Sequence, residues 1–381
     1  MSLTYLESQA GFVPAGPRKL LYINWPLALL LAAVCGVGVL MLYSIAGGDA
    51  GLWASAQGKR ALVGLAGMLV MAFVPIAFWR MLSIPAYLVC VALLIMADLM
   101  GEVHMGAQRW LALGPVQIQP SEMAKIARVM MLAAYYDWLP ARRVSHPFWV
   151  LVPVVLTLVP TLLVLAQPNL GTALLTLFIG GAVMFAAGVH WAYFAAVIGS
   201  VGGGIWAVLA SRGTEWQLLH DYQFRRIDTF LDPSSDPLGA GYNIAQAKIA
   251  LGSGGWTGRG FMQGTQSRLN FLPEKHTDFI FNTLAEEFGF IGSSALLGLY
   301  LLIIGFCLVS ALTNRNRFAS LLTIGVAASF FLLFAVNMLM VMGLAPVVGV
   351  PLPLVSWGGS SMIMLLLGFG LIQSAHVHKV R

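Results

Sequence analysis

Asp278, Asn282 and Glu286 recur at four-residue steps in a segment otherwise built from Phe, Ile, Leu, Ala and a single Thr. On a helix each such step turns by about 40°, so the three form one polar ridge on an apolar rod. The chemistry open to such a ridge is proton transfer, because a carboxylate that is costly to bury marks a water-filled functional cavity. A helix cap at Thr277 or Asp278 competes with that reading. A cap accounts for Asp278 alone and leaves Asn282, Glu286 and Glu287 unexplained.

The cations nearby suggest an anionic ligand. Arg212, Arg225, Arg226, Lys248, Arg259, Arg268 and Lys275 all fall between residues 211 and 278, as suits a diphosphate lipid or anionic headgroups. The run from Gly252 to Gly260 is glycine-dense with Arg259 embedded, so its amides could approach a phosphate. A turn that needs positive φ at several positions explains the glycines equally well. Upstream, Ser121 can cap a helix, and Glu122 and Lys125 form an i, i+3 pair read as a structural ion pair. Arg109 has no acid at helical spacing and is free to clamp a phosphate in bidentate fashion. Weaker polar signals are the stretch Gln167 to Thr172, Asn337, and the Pro/Gly-broken run Val350 to Ser361 that contains Ser356. Irregular backbone of that kind is tolerated at membrane depth only when it is buried in protein or lines a cavity. The seven histidines show no HxxxH or HExxH spacing, so a zinc site is not expected.

These residues must be positioned by membrane helices. Of 381 residues 59% are hydrophobic and only 9% charged, against about 25% charged in a soluble chain. Mean hydropathy is +0.83. The net charge of +6 is scattered between apolar runs, which excludes a nucleic-acid-binding reading. The expected fold is an all-α polytopic membrane protein of about ten crossing helices. Their expected positions are 25 to 45, 61 to 79, 83 to 100, 121 to 139, 147 to 166, 170 to 188, 190 to 210, 279 to 311, 318 to 342 and 360 to 376. With a cytoplasmic N-terminus, the short inside segments hold nine Lys and Arg residues: Arg18, Lys19, Arg80, Arg142, Arg143, Arg315, Arg317, Lys379 and Arg381. The short outside loops hold three, Lys59, Arg60 and Arg109. That bias places both termini in the cytoplasm and the 211 to 278 loop outside. Residues 1 to 24 carry no cleavable signal peptide and read as a cytoplasmic segment of a single 1–381 membrane domain. Cys35, Cys90 and Cys307 sit in apolar runs as small hydrophobes, with no disulfide framework.

Five stretches carry a family resemblance: GAQRWLALGPVQIQPSEMAK at 106–125, QPNLGT at 167–172, DPSSDPLGAGYNIAQAKIALGSGGWTGRG at 232–260, GTQSRLNFLPEKHTDFIF at 264–281, and VVGVPLPLVSWGGSS at 347–361. In order and spacing the chain resembles the SEDS family (shape, elongation, division and sporulation). GTQSRLNFLPE and PVVGVPLPLVS suggest its elongation branch over its division branch.

The resemblance implies a peptidoglycan glycosyltransferase that polymerises lipid II at the outer face of the bacterial cytoplasmic membrane. It also implies a class B penicillin-binding protein as crosslinking partner, within the elongation machinery. The acid of HTDFIF is the family's essential residue, here Asp278, which the polar ridge had already singled out. Asp278 is then the general base, with Arg109, Arg225, Lys248, Arg259, His276 and Thr277 on the substrate's diphosphate and sugar. Glu122, Lys125, Asn282, Glu286, Asn337 and Ser356 support them. A divalent cation, Mg²⁺ or Mn²⁺, would share the diphosphate charge through ligands the sequence does not identify. One departure stands out: the family usually has QPDLGT, and Asn169 here cannot act as a carboxylate base or ligand. The rival classes are a lipid II flippase, the division-type relative with the same chemistry, and a scaffold that only recruits the penicillin-binding protein.

Overall fold

Backbone amides that cannot reach water close their hydrogen bonds within a helix, and the apolar runs of this chain do so. The computed structural model describes residues 16–100, 102–104, 107–113, 116–214, 217, 224, 228, 240–269 and 274–379. Ten of its helices match the ten expected spans. They are α1 (Trp25–Ile45), α2 (Ser55–Phe73), α3 (Ile76–Met100), α4 (Pro120–Trp138), α5 (Pro147–Ala166), α6 (Leu170–Ala186), α7 (Trp191–Ala210), α9 (Ile280–Leu312), α10 (Arg317–Val341) and α11 (Ser360–Val377). An eleventh, α8 (Ala240–Ser253), lies in the loop between α7 and α9. Seven of the helices, α1, α3, α5, α7, α9, α10 and α11, are long and apolar enough to cross a membrane. The chain is a multi-pass membrane protein.

Two spans differ from expectation, and both differences come from Pro75. The apolar run 61–79 straddles it, but Val74 adopts φ −76°, ψ 130°, the extended conformation that a following proline favours. Helix α2 therefore ends early and α3 starts early. The polar residues 55–60, read as loop, form the first turns of α2 instead. Between α3 and α4 the chain forms a small antiparallel sheet of β1 (Glu102–His104), β2 (Ala107–Leu113) and β3 (Val116–Ile118). Arg109 lies on β2.

The long 279–311 run is a helix broken at Gly289, whose φ of 64° and ψ of −159° are not helical. The glycine-dense run explains the break. Phe290 N–H donates to the Gly255 carbonyl at 2.9 Å and Arg259 N–H to the Glu286 carbonyl at 2.9 Å. A Cβ at Gly254 would stand 1.9 Å from the Ala285 oxygen, and one at Gly258 2.1 Å from the Glu287 oxygen. These glycines let one backbone lie on another, so they form a docking strap for α9 rather than a phosphate cradle. The core runs through α1, α9, α10 and α11, with Leu27, Leu31, Tyr300, Phe330 and Phe369 fully buried. By contrast, α7 contributes no buried residue.

Candidate active site

Asp278 sits in the turn just before α9, one link short of the helix. Its own backbone is fixed from α10: Asn337, fully buried, donates through Nδ2 to the Asp278 carbonyl at 2.9 Å and to the Val350 carbonyl at 2.7 Å. One amide thereby ties α10 to the broken run 349–356 and to the acid. The Ser356 hydroxyl donates to the Thr277 carbonyl and accepts from Leu352 N–H at 2.8 Å. Trp357 N–H donates to the His276 carbonyl at 2.8 Å. Tyr300 of α9 reaches the Pro353 carbonyl. Every residue from 276 to 278 is thus held by its carbonyl, which leaves the side chains to face away from the brace.

The Asp278 carboxylate itself has no hydrogen-bond or ion-pair partner among the described residues. Burial, then the neighbouring Glu274 carboxylate, pushes its pKa up from 3.8 to about 6. Its Oδ2 lies 3.7 Å from where a Cβ on Gly349 would stand. Gly349 in turn lines a small cavity together with Glu122, Lys125, Thr172, Leu352 and Ser356. A proton acceptor at neutral pH therefore lies against Gly349, in the wall of a cavity that reaches Glu122 and Lys125 of α4.

The other expected residues sort into three groups. Glu122 and Lys125 form an ion pair at 2.8 Å in the cavity wall. Asn282 and Glu286 lie away from Asp278, because α9 begins only at Ile280 and the expected three-residue ridge is not continuous. Asn282 donates to the Ala247 carbonyl of α8 at 2.7 Å. Glu286, fully buried, accepts from Thr265 N–H at 2.7 Å, Thr265 Oγ1 at 2.9 Å and Gln266 N–H at 3.1 Å. Arg259, expected on the substrate, turns to Glu286 at 3.9 Å, while Lys248 is exposed on α8. His276 stacks on Trp53 with ring centroids 4.8 Å apart, and burial lowers its pKa, so the imidazole is neutral at pH 7. The Thr277 hydroxyl donates to the Glu274 carboxylate at 2.9 Å. Both residues brace the turn through these contacts. Arg225 lies outside the described residues. Asn169 accepts from Thr172 N–H at 3.3 Å as the N-cap of α6, a task asparagine performs as well as aspartate.

Three residues of α2 or just before it escaped sequence reasoning. Trp53, Gln57 and Arg60 follow at i, i+4 and i+7 and share one face. Trp53 takes His276, Gln57 Nε2 donates to the Ser356 carbonyl at 2.9 Å, and the Arg60 guanidinium lies 4.2 Å over the Trp357 ring. Their spacing was the available signal, hidden by the misplaced start of α2. Among the described residues no group of three or more His, Cys, Asp or Glu side chains is arranged to hold a metal ion.

Comparison with known proteins agrees with this architecture. A family model described as the cell cycle protein family FtsW/RodA/SpoVE matches residues 22–381. The chain is 43% identical over 361 residues to the peptidoglycan glycosyltransferase MrdB of Escherichia coli K12, covering 94% of each chain. It is 33% identical over 367 residues to the probable peptidoglycan glycosyltransferase FtsW of Trichlorobacter lovleyi, covering 93% of each. A solved chain from a study of polymerization and crosslinking by a peptidoglycan synthase complex superimposes with a TM-score of 0.79 at 32% identity, covering 93% of this chain and 97% of that one. With the family model spanning nearly the whole sequence and the same polytopic fold in the solved relative, this chain belongs to the FtsW/RodA/SpoVE (SEDS) family.

Proposed function

We propose that this protein is a peptidoglycan glycosyltransferase of the elongation branch, polymerising lipid II into glycan strands with Asp278 as general base. The observation that carries the reading is the half-buried Asp278 carboxylate, unpartnered among the described residues and set against Gly349 of the cavity wall, with its backbone locked by Asn337 and Ser356. In the reaction, the 4-hydroxyl oxygen of one lipid-linked sugar attacks the anomeric carbon of the other. The bond to the diphosphate breaks, the polyprenyl diphosphate leaves with the electron pair, and the hydroxyl proton passes to Asp278. A base must stand within about 3 Å of that oxygen and have a pKa near the working pH. Burial supplies the second condition. Arg109 and the loop cations Arg225 and Lys248 remain candidates for the diphosphate charge.

Among the described residues no group of three or more His, Cys, Asp or Glu side chains forms a divalent site, and the acidic neighbour acting on Asp278 is Glu274. A Mg²⁺ or Mn²⁺ ion would have to arrive with the substrate's phosphate oxygens. No step here requires it, and chelation with EDTA is expected to leave lipid II-independent folding unchanged.

The same reading places the protein in the bacterial cytoplasmic membrane with both termini cytoplasmic and the α7–α9 loop outside, working beside a class B penicillin-binding protein that crosslinks the product. The test is purified protein with that partner in liposomes and labelled lipid II. Wild type should make long glycan and Asp278→Asn at least 10²-fold less, about the share of a general base, with both proteins folded. A wild type that moves lipid II across the bilayer without polymerising it would replace the enzyme reading with transport.

A further inference from the structure

Arg60 has a fixed place and an uncompensated charge. Its guanidinium lies face-on to Trp357, 4.2 Å from the ring centroid, on the same helix face as Gln57. One of its terminal nitrogens is buried without a hydrogen-bond partner, and no carboxylate among the described residues pairs with it. Among other placed cations, Lys125 is held by Glu122, Arg80 by Asp137 and Arg212 by Asp228, while Arg128 and Arg317 donate to backbone carbonyls.

The surroundings of Arg60 add to its charge. The next helix to begin beside it is α11, whose N-cap is Gly359; a Cβ there would stand 4.0 Å from the Arg60 Cζ. That N-terminus has no side-chain cap, and the Ser360 hydroxyl is buried without a partner. A helix N-terminus carries about half a positive charge. A guanidinium beside it is repelled unless an anion lies between or against them. Stacking on indole uses only the face of a guanidinium and leaves its in-plane N–H donors free for a bidentate oxyanion. Trp357 N–H is bonded to the carbonyl of His276, two residues before Asp278, which anchors the stacked ring to the Asp278 turn.

We propose that Arg60, stacked on Trp357 at the start of α11, binds the diphosphate of a polyprenyl-linked substrate. This rests on the glycosyltransferase reading for its substrate but not for its chemistry. The residue contacts a phosphate oxygen through its edge while the indole keeps the plane fixed. The Lys side chain has no such face to stack, so Arg60→Lys keeps charge and loses the bidentate geometry.

The experiment compares wild type, Arg60→Gln and Arg60→Lys, each with its crosslinking partner in liposomes. Two quantities are read: the lipid II concentration for half-maximal rate, and the melting shift produced by polyprenyl diphosphate against polyprenyl monophosphate without turnover. Arg60→Gln should raise half-saturation about tenfold or more and lose most of the diphosphate shift, with Arg60→Lys between. A wild-type shift in Arg60→Gln overturns the proposal. So does a fall in maximal rate at unchanged half-saturation, which marks a merely structural residue. If Arg60→Gln does not fold, a wild-type shift in Arg60→Lys likewise overturns it, and a shift weakened in proportion to the half-saturation supports it. Repeating the rates in phosphatidylcholine alone separates the sources: a defect that disappears without anionic lipid assigns Arg60 to bulk headgroups and overturns the proposal. A wild type that binds polyprenyl diphosphate yet makes no glycan defeats the glycosyltransferase reading and leaves the Arg60 site standing.

Discussion

Asp278 is half-buried with no group among the described residues to balance its charge, so ionising it weakens the fold while, on the proposed mechanism, enabling the chemistry. In the unfolded chain the carboxyl releases its proton near the ordinary 3.8; in the folded protein it holds the proton up to about 6. Below pH 4 both states are protonated. Between these values the unfolded state ionises first, so stability falls as pH rises and stays lowered above 6. Asp278→Asn should therefore melt higher than wild type at pH 7 to 8, with the gap closing towards pH 4, as scanning calorimetry in detergent can follow. Activity should move the other way. The rate of wild type should climb through about pH 6, and Asp278→Asn should lose about 10²- to 10⁴-fold, the usual share of a general base. Asn337→Ala leaves the buried Val350 carbonyl and the part-buried Asp278 carbonyl without their donor and should cost about 1 to 3 kcal/mol for the buried group. It should also slow glycan synthesis, because the Asp278 turn loses its anchor; denaturation midpoints and initial rates check the two effects separately.

At the scale of elements, the site is a meeting of ends: the start of α2, the turn before α9, the middle of α10 and the approach to α11. What keeps them together is backbone contact. The strap 254–260 reaches α9 where Gly289 opens the helix, and Glu286 fastens the short helix Thr265–Arg268 beside it. Gly258 has φ 81° and no room for a methyl group. Gly258→Ala should destabilise by more than the roughly 1 to 3 kcal/mol of a positive φ alone. Gly252→Ala, in open space on α8, should be neutral by the same melting measurement. Leu354 is held at φ 66° in the run that borders the cavity, a strain absorbed by the hydrogen bonds of Asn337, Ser356 and Tyr300.

For the molecule as a whole, the topology has a direct test. Cys35, Cys90 and Cys307 are buried, so background labelling should be low. An impermeant maleimide added outside intact cells should label Gln217→Cys in the α7–α9 loop and spare Arg315→Cys between α9 and α10. The reverse pattern would invert the membrane orientation and put Asp278 on the cytoplasmic side. The chain exposes long apolar faces, α7 most of all, as expected where hydrocarbon rather than water is the solvent.

The sequence by itself determined the helices and singled out one acid for the proposed role. Every crossing segment is legible because hydrocarbon admits no unpaired amide, and apolar length records that demand locally. Asp278 is legible because a carboxylate is rare and costly there. The limits of local reading show at particular residues. Pro75 broke an apolar run that hydropathy treats as continuous, and with the start of α2 lost, the face carrying Trp53, Gln57 and Arg60 went unseen. Glu286 and Arg259 read as site residues by type and spacing, yet they face each other in the strap. Only the tertiary structure decided which polar groups were already satisfied. That depends on partners far along the chain, such as Asn337 for Asp278 and Ser356 for Thr277, and no local pattern encodes such pairings. A carboxylate left free is a property of everything packed around it.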